Sequence, residues 1–368
     1  MLKREAVYRE LLKRIGSGVW KPGYKLPAEP SLCRELGVAR VTLRAALEQL
    51  SDEGYLTRSR PGGTIVTIPA EAKKKILVIA GDSTIPEISR PELYIIPGIE
   101  RRCMELDMEM EIINSRFLPA ELPERYLGAV LFAPFFTGKE EILQKVRSLN
   151  VPVVNVHVFP NDPKVTGLPS VLTDYRSAFL AGLEHLTMMG HRKIAFIMRD
   201  WQVAGQRLDI SLREFPDLLA KAGVAYEERL VISVPRYDAD FSEKLRDLVF
   251  SDDPPTAVYA YSDYFALTCC DLLKKWGVRI PETVAVLGFS GYTSAALQSP
   301  PLSTVDFGYV RIGRIAVDML KQSGQWFGKS VPIVYSPYDV IPRRSTDFFR
   351  MQLENSIRPI INQRRKKL

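Results

Sequence analysis

Two arginines near the start of the chain are spaced for binding a polyanion. Arg40 and Arg44 stand four residues apart, with Thr42 between them, in a stretch whose apolar residues recur at helical spacing. Both guanidinium groups therefore project from one face of a predicted helix. An arginine so placed pairs with two acceptors of a guanine or clamps a phosphate. The alternative interpretation of the same pattern is a solvated helix surface.

A second basic group follows in a predicted β-hairpin. The tip of this hairpin is Arg60-Pro-Gly62-Gly63, and Arg58 lies just before it. Glycine supplies the positive φ angle of a tight turn at no steric cost. Two guanidinium groups beside exposed backbone amides suit phosphate oxygens or the minor groove of DNA. The hairpin thus predicts a second contact with the same polyanion.

These side chains belong to a short series of predicted elements. A first helix ends near Gly16, a second is closed by Gly37, and a third runs from about Ala39 to Gly54 before the hairpin. Helix, helix, tight glycine turn, helix and hairpin is the order of a winged helix-turn-helix, whose third helix enters the major groove. The charge agrees, because residues 1–68 hold 12 Lys and Arg against 7 Asp and Glu.

A string of residues that spans nearly all of 8–66 carries a family resemblance. Its parts are Gly18-Val-Trp20-Lys-Pro22-Gly23, Leu26-Pro27-Ala-Glu29, Leu36-Gly37-Val38-Ala-Arg40-Val-Thr42-Leu-Arg44 and Glu53-Gly54-Tyr55-Leu56. This string closely resembles the DNA-binding domain of the GntR family. The resemblance implies that the arginines and the threonine of the third helix face DNA, and that the glycines of the wing lie beside the minor groove.

Two departures from the family pattern accompany this resemblance. Ala39 stands where the family usually has serine or threonine, which removes a phosphate contact. Pro30 stands where a basic residue sometimes contacts DNA, so we expect an unusual operator preference. The predicted DNA-contacting residues are Ser31, Arg40, Thr42, Arg44, Arg58, Arg60, Gly62 and Gly63.

Short apolar runs alternate with helical stretches from residue 75 to about 345. The predicted strands are Ile76–Ala80, Met110–Asn114, Ala129–Ala133, Pro152–Val156, Val171–Thr173, Lys193–Met198, Leu230–Ser233, Ala257–Tyr261 and Val284–Phe289. Predicted helices such as Ala178–Met189 and Phe265–Trp276 lie between them. This alternation predicts parallel sheets covered by helices on both faces, and the number of strands suits two such units better than one.

Polar and aromatic residues directly follow several of these strands. Open α/β sheets bind ligands beyond the carboxyl ends of their strands. Aromatic rings interleaved with polar groups suit a hydroxylated ligand, because the rings cover its apolar faces while the polar groups fix its orientation. Loop packing is the alternative for each residue. The candidates are Asp82, Phe135, His157, Trp201, Ser262, Asp263, Ser290 and Tyr292.

The second half of this region carries another resemblance. Its segments are Thr187-Met-Met-Gly190-His191-Arg192-Lys193-Ile194, Ala257-Val-Tyr-Ala-Tyr-Ser262-Asp263, Gly277-Val-Arg-Ile-Pro281-Glu282 and Pro301-Leu-Ser-Thr-Val305. They are similar to the sensor domain of LacI/GalR-type regulators. The resemblance implies a periplasmic-binding-protein-like pair of lobes, an effector in the cleft between them, and chain crossings near Thr173, Thr304 and Tyr338.

Some positions depart from the pattern of these sensors. Ser262 stands where many of them have asparagine, and Ser290 where many have aspartate, two side chains that commonly hold sugar hydroxyls in the family. An arginine expected before the second helix of the second lobe corresponds to Arg207 or Arg213, and the spacing fits neither well. These departures count against a usual pentose or hexose as the effector.

No catalytic or metal-binding pattern is present in the sequence. Neither a nucleotide-binding glycine loop nor a Gly-x-Ser-x-Gly elbow follows a strand. The 4 cysteines and 3 histidines lack the spacing of metal ligands. No signal peptide and no apolar run long enough for a membrane span occur. We therefore expect a cytoplasmic protein that is not an enzyme, needs no cofactor or metal and does not bind a membrane.

The predicted fold class is α/β, with an N-terminal winged helix-turn-helix and a two-lobed periplasmic-binding-protein-like domain built from two doubly wound parallel sheets. The predicted domains are the DNA-binding head 1–68, a linker 69–74, the sensor 75–346 and a basic tail 347–368 that solubilises the chain or adds nonspecific DNA affinity. Within the sensor, lobe 1 covers about 75–172 and 305–337, and lobe 2 about 173–304 and 338–346.

The predicted function is that of a transcription regulator. We expect a homodimeric repressor that binds a double-stranded DNA operator under the control of a small-molecule effector, a carbohydrate or related polar metabolite. A cytoplasmic solute-binding protein and an enzyme fused to a GntR-type head are the alternatives.

Overall fold

The computed structural model describes residues 3–59, 63–67, 73–80, 91–132, 140–156, 163, 166–199, 215–235 and 239–347. The chain divides into two compact units, Met1–Lys75 and Ile76–Leu368. In the described residues, no helix combines the length and the apolar character that crossing a membrane requires.

The first unit is a three-helix bundle with a two-stranded wing. Its elements are α1 (Lys3–Gly16), α2 (Glu29–Leu36), α3 (Arg40–Asp52), β1 (Leu56–Ser59) and β2 (Gly63–Val66). Gly37 ends α2 with a φ of 63°, a left-handed conformation that turns the chain sharply into α3. The apolar faces of the three helices meet in a core that includes Leu11, Leu32 and Leu43, so α3 keeps its opposite face outside.

The second unit contains two six-stranded sheets with helices packed against them. Its helices are α4 (Glu92–Glu105), α5 (Glu140–Arg147), α6 (Tyr175–Met188), α7 (Phe215–Lys221), α8 (Ser242–Val249), α9 (Asp263–Lys275), α10 (Ser294–Leu297) and α11 (Tyr309–Lys321). Its strands are β3 (Lys75–Ala80), β4 (Glu109–Asn114), β5 (Tyr126–Phe132), β6 (Val153–Val156), β7 (Ser170–Thr173), β8 (Ile194–Arg199), β9 (Val231–Val234), β10 (Ala257–Tyr261), β11 (Ala285–Ser290), β12 (Ser303–Asp306), β13 (Ile333–Ser336) and β14 (Asp339–Ile341).

Each sheet defines one lobe. The order is β13-β7-β6-β5-β3-β4 in lobe 1 and β14-β12-β11-β10-β8-β9 in lobe 2. Neighbouring strands such as β5 and β6, or β10 and β11, run parallel. Because such strands are buried apolar runs, they could be predicted from the sequence pattern. The predicted α/β fold with two lobes is confirmed. One detail differs, because the edge strand β14 is antiparallel to β12.

The chain passes between the lobes three times, each time after a strand of one sheet. It leaves β7 for α6, leaves β12 for α11, and leaves β13 for β14. Because all three passages start at carboxyl ends of strands, the carboxyl edges of the two sheets face each other. The cleft between the lobes therefore lies at these edges, where α/β sheets bind their ligands.

Two helices of lobe 1 cross at unusually close range. A Cβ atom at Gly98 of α4 would lie 2.1 Å from the carbonyl oxygen of Val310 on α11, so only glycine permits this approach. Ion pairs fasten the same crossing on its exposed side, from Arg102 to Asp318 at 2.8 Å and from Arg314 to Glu105 at 2.6 Å. The pair of helices forms a firm support for the residues at its cleft end.

Candidate DNA interface and effector cleft

The outer face of α3 presents the two predicted arginines. Arg40 and Arg44 are exposed, and their Nε atoms lie 3.0 Å and 2.8 Å from the same carboxylate oxygen, Oε2 of Glu29 on α2. The hydrogen bond from Arg44, helped by that from Arg40, lowers the pKa of the Glu29 carboxyl below its usual value, so it is ionised at neutral pH. One carboxylate thus aligns two guanidinium groups side by side.

The wing lies next to a short segment of chain that supplies another cation. The backbone of residues 23–26 pairs with β2, as in the hydrogen bond from Leu26 N to Thr64 O at 2.9 Å. In this pairing Lys25 forms an antiparallel β-bridge with Ile65, and the Lys25 side chain passes beside Gly63. An exposed lysine therefore accompanies the arginine of β1, Arg58, at the wing.

In the sensor, the structure brings four predicted residues together at the carboxyl ends of β10 and β11. Ser262 and Asp263 follow β10, while Ser290 ends β11 and Tyr292 lies two residues beyond it. All four are buried. Ser290 has a φ of 148°, a conformation that residues other than glycine rarely adopt and that occurs preferentially at ligand sites.

Asp263 is the centre of a hydrogen-bond network at this edge. Its carboxylate accepts from the backbone N–H of Tyr292 at 2.6 Å and from Thr304 Oγ1 at 2.6 Å. Burial raises the pKa of this carboxyl to about 6, against the lowering effect of the hydrogen bonds from Thr304 and from the amides of Tyr292 and Gly291. The network holds the loop after β11 and therefore fixes where Tyr292 stands.

Stacked tyrosines span the cleft at that place. The ring of Tyr94, on α4 of lobe 1, lies 4.7 Å from the ring of Tyr292 with an angle of 4° between their planes. Tyr309, at the start of α11, stacks against Tyr94 at 5.8 Å. Lobe 1 therefore contributes two rings and lobe 2 one ring to a single stack, which joins the lobes across the cleft.

Two hydroxyl groups at the cleft edge have unused hydrogen-bonding capacity. Ser262 Oγ and Thr173 Oγ1 are buried and make no hydrogen bond within the described part of the structure. Ser262 follows β10 and Thr173 ends β7, so each lies at a carboxyl edge that faces the other lobe. Buried polar groups are nearly always paired, and a polar ligand is one way to pair these.

Comparison with known proteins identifies both units. Residues 3–66 match the family described as bacterial regulatory proteins, gntR family, and residues 183–346 match the periplasmic binding protein-like domain. The arabinose metabolism transcriptional repressor of Geobacillus stearothermophilus is 24% identical over 356 residues, which cover 92% of this chain and 96% of that protein. The chain is a transcription regulator that joins a gntR-family DNA-binding domain to a periplasmic binding protein-like domain.

Two solved structures share the fold of this chain. The lac repressor dimer bound to operator and the anti-inducer ONPF has a TM-score of 0.59 at 18% identity, over 84% of this chain and 91% of that one. The complex of the transcriptional regulator CelR with cellobiose has a TM-score of 0.56 at 19% identity, over 87% of this chain and 100% of that one. The relatives of the regulator are themselves named as transcription regulators and not as enzymes.

Of the other predicted site residues, some are described by the structure and the rest lie outside the described residues. In the head of the regulator, Ser31 is exposed on α2, Thr42 is half-buried on α3, and Gly63 begins β2. The remaining predicted residues lie outside the described part of the chain, and their roles stay predictions. They are Arg60 and Gly62 of the wing and Asp82, Phe135, His157, Trp201, Arg207 and Arg213 of the sensor.

Three residues of the two sites were not predicted as site residues from the sequence. Glu29 was noticed only as part of the family string, since its contact with α3 depends on the packing of two helices. Lys25 lies beside the wing only because residues 23–26 pair with β2. Tyr94 precedes Pro97 on α4, and a proline inside a helix obscures the helical pattern around it.

Replacing Glu29 with glutamine is expected to weaken the discrimination between operator and nonspecific DNA by about threefold to tenfold. The two arginines lose their shared anion and become freer to bind any phosphate, while one negative charge disappears from the DNA-facing side. Competition titrations with operator and with unrelated duplex measure the ratio. Glu35→Gln removes the same charge from a pair with Arg14 and serves as the control. Equal ratios for wild type and Glu29→Gln would reject this role.

Proposed function

We propose that the regulator binds its operator as a homodimer and that an effector in the cleft between the lobes changes its affinity for DNA. The supporting observation is the tyrosine stack, because a contact shared by two lobes at a cleft changes whenever one lobe moves relative to the other. The arginine pair on α3 supplies the DNA-reading surface. Effector control then requires only that the lobes can adopt two arrangements relative to each other and that the affinity for operator DNA differs between them.

The proposed effector is a carbohydrate or a related polar metabolite. The hydroxyls of Ser262 and Thr173, which make no hydrogen bond within the described residues, offer hydrogen bonds to a polar ligand at the carboxyl edges of the sheets. Among the similar proteins, CelR was solved in complex with cellobiose, and one repressor is named for arabinose metabolism. Asp263 acts in this proposal as a positioning residue, since its oxygens are already bound by groups of the protein.

The homodimer follows from the geometry of DNA recognition. One winged helix contacts one half-site, and half-sites about 34 Å apart along the duplex require two heads. The lac repressor structure named above is itself a dimer bound to its operator. The proposed domain limits are those of the sequence analysis, with a linker over residues 69–74. Because its ligand is DNA, we also propose that the regulator acts in the cytoplasm.

Thermal unfolding of the purified regulator against a panel of sugars, sugar acids, polyols and nucleosides tests the sensor half of the proposal. An effector present at about 100 times its dissociation constant stabilises the folded protein by about 2.7 kcal/mol. Each hit is then added to an operator titration. A compound that stabilises the protein and changes the affinity for operator supports the proposal. Hits that stabilise the protein without any change in operator affinity would contradict it.

Replacing Tyr94 with alanine is expected to lower effector affinity about tenfold, because the stack that links the lobes at the cleft loses the ring that makes its closest contact, 4.7 Å from the ring of Tyr292. Calorimetric titration with the effector found by the unfolding panel measures the change. Tyr335→Ala, which removes an exposed tyrosine from the edge strand β13 of the same lobe, is the matched control and should leave the affinity unchanged. An unchanged or increased affinity in Tyr94→Ala would count against the role of the stack.

A further inference from the structure

An apolar side chain is exposed in the first turn of α3, between the residues that face DNA. Val41 is 80% exposed, whereas the other large apolar residue of these turns, Leu43, is buried in the core. It adds nothing to the core of the first unit, and a β-branched residue lowers helix propensity slightly. Neither packing nor helix stability therefore explains a valine at this position.

The direction of Val41 follows from helical geometry. The buried residues of α3, Leu43, Ala46, Leu47 and Leu50, mark the side that faces the core. Successive residues turn by about 100°, so Val41 lies about 170° around the helix from the centre of that side. In a recognition helix, residues of the N-terminal turns contact base edges. Val41 is thus the side chain in the N-terminal turns of α3 that points most directly away from the core.

The two arginines beside Val41 do not cover its side chain. Arg40 and Arg44 both turn their Nε atoms to Glu29, which lies on α2. By the same helical geometry, Arg44 stands about 60° to one side of Val41 and Arg40 about 100°. The isopropyl group therefore projects beside two guanidinium groups and is not covered by their ion pairs. An apolar group and two cationic forks form one small reading surface.

The major groove offers one apolar feature that matches such a group. Thymine alone carries a C5-methyl group there, whereas guanine presents the two acceptors that an arginine fork recognises. We propose that Val41 reads the C5-methyl of a thymine in the same half-site as the guanines bound by Arg40 and Arg44. This inference rests on the DNA-binding function of the head and adds a specificity-determining residue to it.

The test uses the full-length regulator and a set of operator variants. Binding sequences are first selected from a random duplex library, and each thymine of the selected half-site is then replaced with uracil, which lacks only the methyl group. At one thymine, uracil should weaken wild-type binding about threefold to fivefold, the effect of losing one buried methyl contact. Val41→Ala should bind the thymine operator correspondingly less well and should not distinguish thymine from uracil.

A matched variant separates this role from a general effect on the head. Val19→Ala removes an exposed valine of the same unit outside α3 and should keep the full response to uracil. If no thymine responds to uracil, or if Val41→Ala responds as strongly as wild type, the proposal is wrong. If the library yields no preferred sequence at all, the specific DNA binding on which the proposal rests fails instead.

Discussion

Arg44→Ala is expected to weaken operator binding by about 5-fold to 150-fold, which corresponds to about 1–3 kcal/mol for an arginine that reads a base. Arg44 is exposed on α3, points to the same side as Arg40 and is held by the carboxylate of Glu29 at 2.8 Å. Its removal would abolish the two hydrogen bonds of a base-reading fork and would leave Glu29 with one partner, Arg40. A mobility-shift or anisotropy titration of the full-length regulator measures the loss.

The control for this prediction separates base recognition from a simple change of net charge. Arg9→Ala removes one positive charge from the same unit, from a pair with Glu5 on α1. A phosphate contact or a long-range charge effect would weaken binding to all sequences alike and would reduce the salt dependence. Base reading by Arg44 instead requires that operator binding falls while nonspecific binding hardly changes. Equal losses in both variants would remove Arg44 from the base-reading surface.

Asp263→Ala is expected to reduce the free energy of unfolding of the sensor by about 2–4 kcal/mol, since it leaves the buried Tyr292 N–H and the Thr304 hydroxyl without their acceptor. The loop after β11 then loses its anchor, so the tyrosine stack and effector binding should weaken as well. Denaturant unfolding measures the stability. Asp271→Ala removes an exposed carboxylate from the same helix and should change stability by less than about 0.5 kcal/mol.

The pH dependence provides a second check on Asp263. Its folded-state pKa of about 6 is raised from the ordinary value of 3.8, because burial disfavours the charged form. A carboxyl with a raised pKa contributes stability that is fully present below about pH 4 and is lost as the pH rises through about 6. The destabilisation caused by Asp263→Ala should therefore be larger at pH 4.5 than at pH 7.5. A loss that is smaller at pH 4.5 would contradict the assigned environment.

The architecture was predictable from sequence because most of its strands are continuous apolar runs. The predicted strand over Ala257–Tyr261 coincides with β10, and its neighbour over Val284–Phe289 differs from β11 by one residue at each end. The strands β12, β13 and β14 were not predicted, because runs of three or four residues with serine, threonine and aspartate carry little periodic signal.

The sites were predictable only in part, because spacing along the chain reveals local neighbours and not tertiary contacts. The spacing of Arg40 and Arg44 placed them on one helix face, where the structure also has them. Their common partner Glu29 comes from another helix and depends on tertiary packing. Asp263 and Tyr292 were predicted because they follow strands, whereas the ring that meets Tyr292 belongs to a distant part of the chain.

The measurement that tests the central claim most directly is an anisotropy titration of the full-length regulator on its selected operator and on a scrambled duplex, with and without the effector. The account predicts that the operator binds at least about 1,000-fold more tightly than the scrambled duplex at physiological salt. It also predicts that saturating effector changes operator affinity by at least about fivefold. Equal affinity for the two duplexes, or operator affinity that the bound effector leaves unchanged, would contradict it.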